Sequence, residues 1–219
     1  MKKTAIILGA TGLTGSILLE RLIADENYKT IILFSRNKTK FTSPKIKEYI
    51  IDLLELEKYA SDFIADEVYC CIGTTTAKTK NKATYKSIDY GIPVTAAKLA
   101  KQNNSTAFLV MSSMGADAES KLFYNRTKGE MERDVLKEHI NNTFILRPSL
   151  IGGERTEFRF GEKLGKLIMS VFNPILLGGL KKYKMIHPKK IAMCMHILAT
   201  NPKKQSIFNS DEIENFSKL

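Results

Sequence analysis

Four residues of this 219-residue chain, Ser112, Ser113, Tyr124 and Lys128, have types and a spacing that could do acid–base chemistry. The two serines follow an apolar run at 107–111, and the end of a buried strand is where open α/β sheets place their chemistry. Tyr124 and Lys128 stand four apart in a segment, 123–139, whose pattern predicts a helix. Both side chains therefore project from one face, and their tips can approach one ligand. A hydroxyl at a strand end with a phenol and an ammonium on the next helix is a concrete catalytic arrangement. A core tyrosine and a solvated lysine would show the same spacing, so the surrounding elements have to decide.

The stretch 4–20, TAIILGATGLTGSILLE, is the strongest of those elements. Its apolar run predicts a strand, and Leu13, Ile17, Leu18 and Leu22 recur at helical intervals. Gly9, Gly12 and Gly15 fill the turn between them. Gly9 suits the turn's backbone angles, Gly12 lets the main chain approach a diphosphate, and Gly15 lets the helix lie close on the strands. The amides from Thr11 through Leu13 to Thr14 then face the phosphates at the positive end of the helix dipole.

The remaining pattern alternates strand and helix: strands at 30–35, 47–51, 67–72, 107–111, 143–146 and 206–209, and helices at 53–64, 89–103, 123–139, 154–183 and 191–199. It predicts an α/β fold with a doubly wound parallel sheet of the Rossmann type, in a single dinucleotide-binding domain over 1–219. In such a fold the second strand end meets the adenosine ribose, where an acidic residue would bond the 2′-hydroxyl of NAD. None is present. Arg36, with Ser35 and Lys38 beside it, suits a 2′-phosphate instead, which favours NADP(H). Asp52 and Leu53 lie where the chain could contact the adenine, although Asp52 is equally a helix N-cap. Gly73, Thr74 and Thr75 are expected to offer small hydroxyls and free backbone amides to the cofactor. The region 152–190 interrupts the regular alternation and is the candidate substrate wall, a small C-terminal feature of the domain. A dimer surface or ordinary core fits it as well.

Composition narrows the classes. A net charge of +11 arises from lysines spread along the chain, without aromatic interleaving or a DNA-binding motif, so nucleic acid is not the expected partner. The longest apolar stretch, 167–180, is 14 residues and is interrupted by Ser170, Asn173 and Pro174, too short and broken for a bilayer span. Without a signal pattern, the chain is expected to be cytoplasmic. Cys70, Cys71 and Cys194 have neither disulfide nor metal spacing, and no metal site is expected.

Taken together, GATGLTG at 9–15, CIGTT at 71–75, SSMGAD at 112–117, YNRTKGEME at 124–132 and LRPSLIGG at 146–153 resemble the atypical branch of the short-chain dehydrogenase/reductase superfamily. Within it they resemble most the Tat-interacting, metastasis-suppressor group. The resemblance implies an NADP-linked reductase of a small carbonyl or quinone-like compound. In that reading Ser113, or else Ser112, bonds the substrate carbonyl, and Tyr124 is the general acid. Lys128 holds the nicotinamide ribose and favours the tyrosinate, and Pro148 lies against the nicotinamide. Two departures stand out: no relay asparagine can be placed, and the interval from Ser113 to Tyr124 is short. The other reading is an NADPH-sensing regulatory protein that binds a protein partner without turnover. The oligomeric state stays open.

Overall fold

A computed structural model describes residues 2–75, 77–152 and 184–216. Seven parallel strands form one sheet in the order β3-β2-β1-β4-β5-β6-β7. They are β1 (Lys3–Leu8), β2 (Tyr28–Ser35), β3 (Ile46–Ile50), β4 (Glu67–Cys70), β5 (Ala107–Met111), β6 (Asn142–Arg147) and β7 (Ile207–Asn209). The order reverses at β1 and β4, so the crevice above their C-terminal ends is the ligand position of a doubly wound sheet. The expected fold class is the observed one.

Alternation along the strands divides the core in two. Ala5, Ile7, Ile31, Leu33, Leu109 and Phe144 face α1 (Leu13–Ala24) and a helix at Pro188–Thr200, which contribute Leu18, Leu22, Ile191, Met195 and Leu198. Ile6, Leu8, Ile32, Phe34, Val68, Phe108 and Val110 face the opposite way, with Val94, Leu99, Met131 and Val135 against them. Each fully buried large side chain contributes about 1.5–3 kcal/mol. A one-residue slip of β1 would exchange both sets, and this holds the register Ile6 to Ile32 and Val68.

Three elements differ from the sequence pattern. The helix expected over 53–64 is instead 3₁₀ over Leu53–Tyr59. Its apolar residues Leu53, Leu56 and Tyr59 recur every three positions, which matches three residues per turn. The helix expected from residue 89 begins earlier, as α2 (Lys82–Lys86), widens into a π turn at Ser87–Gly91, and continues as α3 (Ile92–Gln102). Pro93 has no amide for the carbonyl of Asp89, and its ring crowds that carbonyl, so the wider turn relieves both. Beyond the last expected strand, a short helix forms at Ser210–Asn215, closed by a capping box of Asn209 and Glu212. Numbered in order, α4 is Phe123–Leu136, α5 is Pro188–Thr200 and α6 is Ser210–Asn215. The helix expected at 154–183 lies outside the described residues.

Candidate functional site

The glycine turn joins β1 to α1 in the crevice. Gly9 has φ +83°, and a Cβ there would stand 3.0 Å from the carbonyl of Cys71 at the end of β4. The Gly12 amide donates to the Gly9 carbonyl at 2.9 Å. A Cβ on Gly15 would fall 2.1 Å from that same oxygen, so α1 sits directly on the turn. Gly12 caps the helix without a side chain, and the first turn carries no acid. Thr11 and Gly12 are exposed, Leu13 is half-buried, and Thr14 and Gly15 are buried. Backbone amides, an open approach and a positive helix end fit the diphosphate of a dinucleotide.

At the end of β2, Ser35 is buried and its hydroxyl donates to the Asn37 carbonyl at 2.8 Å, which shapes the turn beneath the exposed Arg36. The chain from 35 to 45 carries no acid, although the Glu48 carboxylate on β3 accepts the Thr39 amide at 2.7 Å. Asp52 serves as an N-cap, its side chain accepting the Leu54 amide at 3.0 Å, and Leu53 is buried below it.

Beyond β4 the structure corrects one expectation and supplies a residue that sequence reading missed. The Thr74 amide, expected to be free, donates to Asp89 Oδ2 at 2.7 Å. The Thr74 hydroxyl is shared with Thr79 at 2.9 Å, and the Thr75 carbonyl accepts the amides of Lys78 and Thr79. Asp89 is fully buried on the π turn, and its other oxygen meets Lys128 Nζ at 2.8 Å. Lys128, 3% exposed, also donates to the Met111 carbonyl at 3.4 Å. A Cβ on Gly73 would lie 3.9 Å from this ammonium, which places it between the ends of β4 and β5. The nearest sequence signal was an acid inside an apolar helical stretch.

The serines separate. Ser112 continues the row of Phe108 and Val110 and hydrogen-bonds Glu132 on α4, which is held in turn by Arg147 from β6. Ser113 Oγ is buried and has no partner among the described residues. The buried Tyr85 hydroxyl also lacks one, and burial, then Asp89, push its phenol well above the ordinary value. Pro148 is buried, its carbonyl accepting the Met114 amide at 3.0 Å. Tyr124 starts α4 half-exposed, its ring 6.1 Å from that of Tyr85. Gly129 allows this arrangement. A Cβ there would reach within 2.1 Å of the Ala118 amide, so the loop after β5 lies flat on α4 beside Lys128.

Of the candidate substrate wall at 152–190, the described part is 152 and 184–190; 153–183 lie outside the described residues. Gly152 backs onto the Met185 side chain, and its amide donates to the Ile186 carbonyl at 2.9 Å. Among the described residues, no helix is long and apolar enough to cross a membrane, and no group of three or more His, Cys, Asp and Glu is placed to hold a metal.

Known proteins resemble this chain in sequence and in fold. Residues 5–209 match the NAD dependent epimerase/dehydratase family. The chain is 35% identical over 185 residues to Protein FMP52, mitochondrial, of Candida albicans, covering 82% of this chain and 81% of that one. It is 31% identical over 168 residues to Protein HTATIP2 of Rattus norvegicus, covering 75% and 69%. Among solved structures it resembles the UDP-glucose 4-epimerase of Thermotoga maritima, with TM-score 0.71 at 13% identity and coverage of 98% and 82%. WbmG of Bordetella bronchiseptica, solved in complex with NAD, gives 0.71 at 11% identity, covering 95% and 72%. The expected cytoplasmic location is corrected by these relatives, since the FMP52 proteins of several yeasts are named mitochondrial. The glycine cradle, the strand order and the match along most of its length agree: the chain belongs to the NAD-dependent epimerase/dehydratase family, within the short-chain dehydrogenase/reductase superfamily, whose cofactor is a nicotinamide dinucleotide.

Proposed function

We propose that the chain is an NADP(H)-linked oxidoreductase that reduces a small carbonyl or quinone-like compound, with Tyr124 as proton donor. The observation that carries this reading is the buried Ser113 hydroxyl at the end of β5, which has no partner among the described residues, while the neighbouring hydroxyl, Ser112, is engaged by Glu132. A buried polar atom without a partner costs roughly 1–3 kcal/mol, which a bound carbonyl oxygen would recover. When bound, the reduced dinucleotide supplies a hydride to the carbonyl carbon and is itself oxidised. Ser113 donates a hydrogen bond to the carbonyl oxygen and fixes its orientation. Tyr124 gives that oxygen its proton, so that the product is an alcohol. Lys128 bonds the nicotinamide ribose. Asp89 holds the ammonium in place from the π turn. Pro148 closes the nicotinamide side. Gly9, Thr11, Gly12, Leu13, Thr14 and Gly15 hold the diphosphate, Arg36 and Ser35 the 2′-phosphate, Asp52 and Leu53 the adenine, and Gly73, Thr74, Thr75 and Ser112 the wall between them. Arg36, exposed at the end of a strand that no acid follows in the chain from 35 to 45, supports NADP over NAD.

The test is a parallel titration with NADPH and NADH, followed by nicotinamide fluorescence in a chain without tryptophan. NADPH is expected to bind more tightly, and Arg36→Ala to abolish the preference. Tyr124→Phe is expected to lower turnover of a responsive carbonyl by about 10²–10⁴-fold with NADPH affinity retained. Undiminished turnover in that variant would sink the assignment of Tyr124, and binding of neither nucleotide would sink the whole reading.

A further inference from the structure

Beside Tyr124 lies a hollow of about 230 Å³, bounded by Thr79, Lys80, Lys82, Tyr85, Phe123 and Tyr124. A dry cavity of roughly 150 Å³ admits benzene, so this space suits one substituted ring. Its inner wall is aromatic: Phe123 and Tyr124 both meet Tyr85 edge-on, with centroids 5.6 and 6.1 Å away. That geometry leaves ring faces and edges for a further aromatic group. Its rim is cationic. Lys82, the first residue of α2, holds its Nζ 5.6 Å over the Phe123 ring, and Lys80 lies two residues before it on the loop that leads into α2. Among the described residues, Asp89 is engaged by Lys128 and Glu130 by Lys86 at 2.7 Å. Among the described residues neither Lys80 nor Lys82 has a carboxylate partner.

We propose that the hollow is a substrate subsite for an aromatic carbonyl compound bearing a carboxylate, with the ring packed on Tyr85 and Phe123 and the carboxylate met by Lys80 and Lys82. The inference rests on the reductase reading for the carbonyl end but not for the anionic end. A carboxylate bonded to an ammonium is a charge-assisted contact, roughly twice as strong as a neutral one. The lysines therefore select among carbonyl compounds, and Tyr124 acts on those that the ring wall has seated.

The experiment compares 4-carboxybenzaldehyde with benzaldehyde as substrates of the NADPH-loaded protein, and measures binding of 4-(hydroxymethyl)benzoate to the NADP+-loaded protein by calorimetry. The carboxylated aldehyde is expected to be favoured about tenfold or more in kcat/KM, mainly through KM. In K80Q/K82Q that preference falls to within about twofold, and binding of the benzoate weakens by the same factor. K29Q/K98Q, which removes two exposed lysines elsewhere, leaves the preference intact. Turnover of both aldehydes without preference, or a preference that survives K80Q/K82Q, overturns the subsite and leaves the reductase reading standing. Benzoate binding that is lost in K80Q/K82Q, with no turnover of either aldehyde, supports the subsite and overturns the reductase. Absence of both turnover and benzoate binding overturns both.

Discussion

A buried carboxylate stands at each end of the sheet, and the two are served differently. Glu67, at the N-terminal end of β4, has every oxygen engaged: Lys3 Nζ at 2.6 Å on one, and the Tyr28 and Tyr69 hydroxyls, each at 2.6 Å, on the other. Burial first, and then Glu67, push both phenols well above their ordinary values, so they remain donors at any physiological pH. Asp89, at the C-terminal end, is paired with Lys128, and at this end of the sheet the hydroxyls of Tyr85 and Ser113 have no hydrogen-bond partner among the described residues. The same chemistry thus serves two purposes. A closed network holds the chain together, whereas an incomplete one has capacity left for a ligand.

The comparison can be broken by mutation. The largest effect is expected for Glu67→Leu, which strands Lys3 and two phenols and should cost about 3–5 kcal/mol in urea unfolding. A loss below 1 kcal/mol would show that the lower network is not structural. At the other end, Asp89→Leu/Lys128→Met should lie within about 1–2 kcal/mol of the parent or above it, since an apolar pair often replaces a buried ion pair without loss. Turnover in that double variant should vanish, and retained activity would remove Lys128 and Asp89 from the site. The serines sharpen the contrast on a smaller scale. Ser112→Ala removes the bond to Glu132 and should cost about 1–2 kcal/mol, while Ser113→Ala should leave thermal stability unchanged or raised and impair turnover.

The smallest effect concerns pH. The bond from Arg133, with Lys137 and Tyr90 adding to it, holds the Asp134 carboxyl well below its ordinary value of 3.8. The unfolded chain therefore binds the proton first as pH falls. The contribution is complete above the unfolded value and is lost as pH drops below about 4, with a size under ~1 kcal/mol for so superficial a group. Asp134→Asn should flatten that acid limb in denaturation measured between pH 5 and 2, and an unchanged limb would show that the charges around Asp134 add nothing.

Much of this was legible before any coordinates. Gly9, Gly12 and Gly15 announced the cradle because a turn, a close approach and a helix contact each exclude a side chain, and a parallel, doubly wound sheet follows from alternating strands and helices. Period-two alternation also shows that Ser112 and Ser113 point oppositely. It does not show which face α4 covers, so the engaged serine was hidden until Glu132 was seen across from it. Asp89 and Lys128 are 39 positions apart, and no local pattern joins them. The free amide expected at Thr74 failed for the same reason, because its acceptor is that same distant carboxylate. The mitochondrial naming of relatives has no counterpart in folded-core chemistry and could not be read from it.

The π turn at Ser87–Gly91 is in effect one surplus residue inside a helix. Each residue of a regular α-helix turns the side chains by about 100°. Deleting a single residue there would force α2 straight into α3, return the Pro93 ring to the carbonyl it now avoids, and rotate everything on one side of the join against the other. Asp89 would then look past Lys128 although neither residue had been altered. At this position the site is encoded by arithmetic as well as by side chains, and a length change of one should be as damaging to function as replacing the aspartate itself.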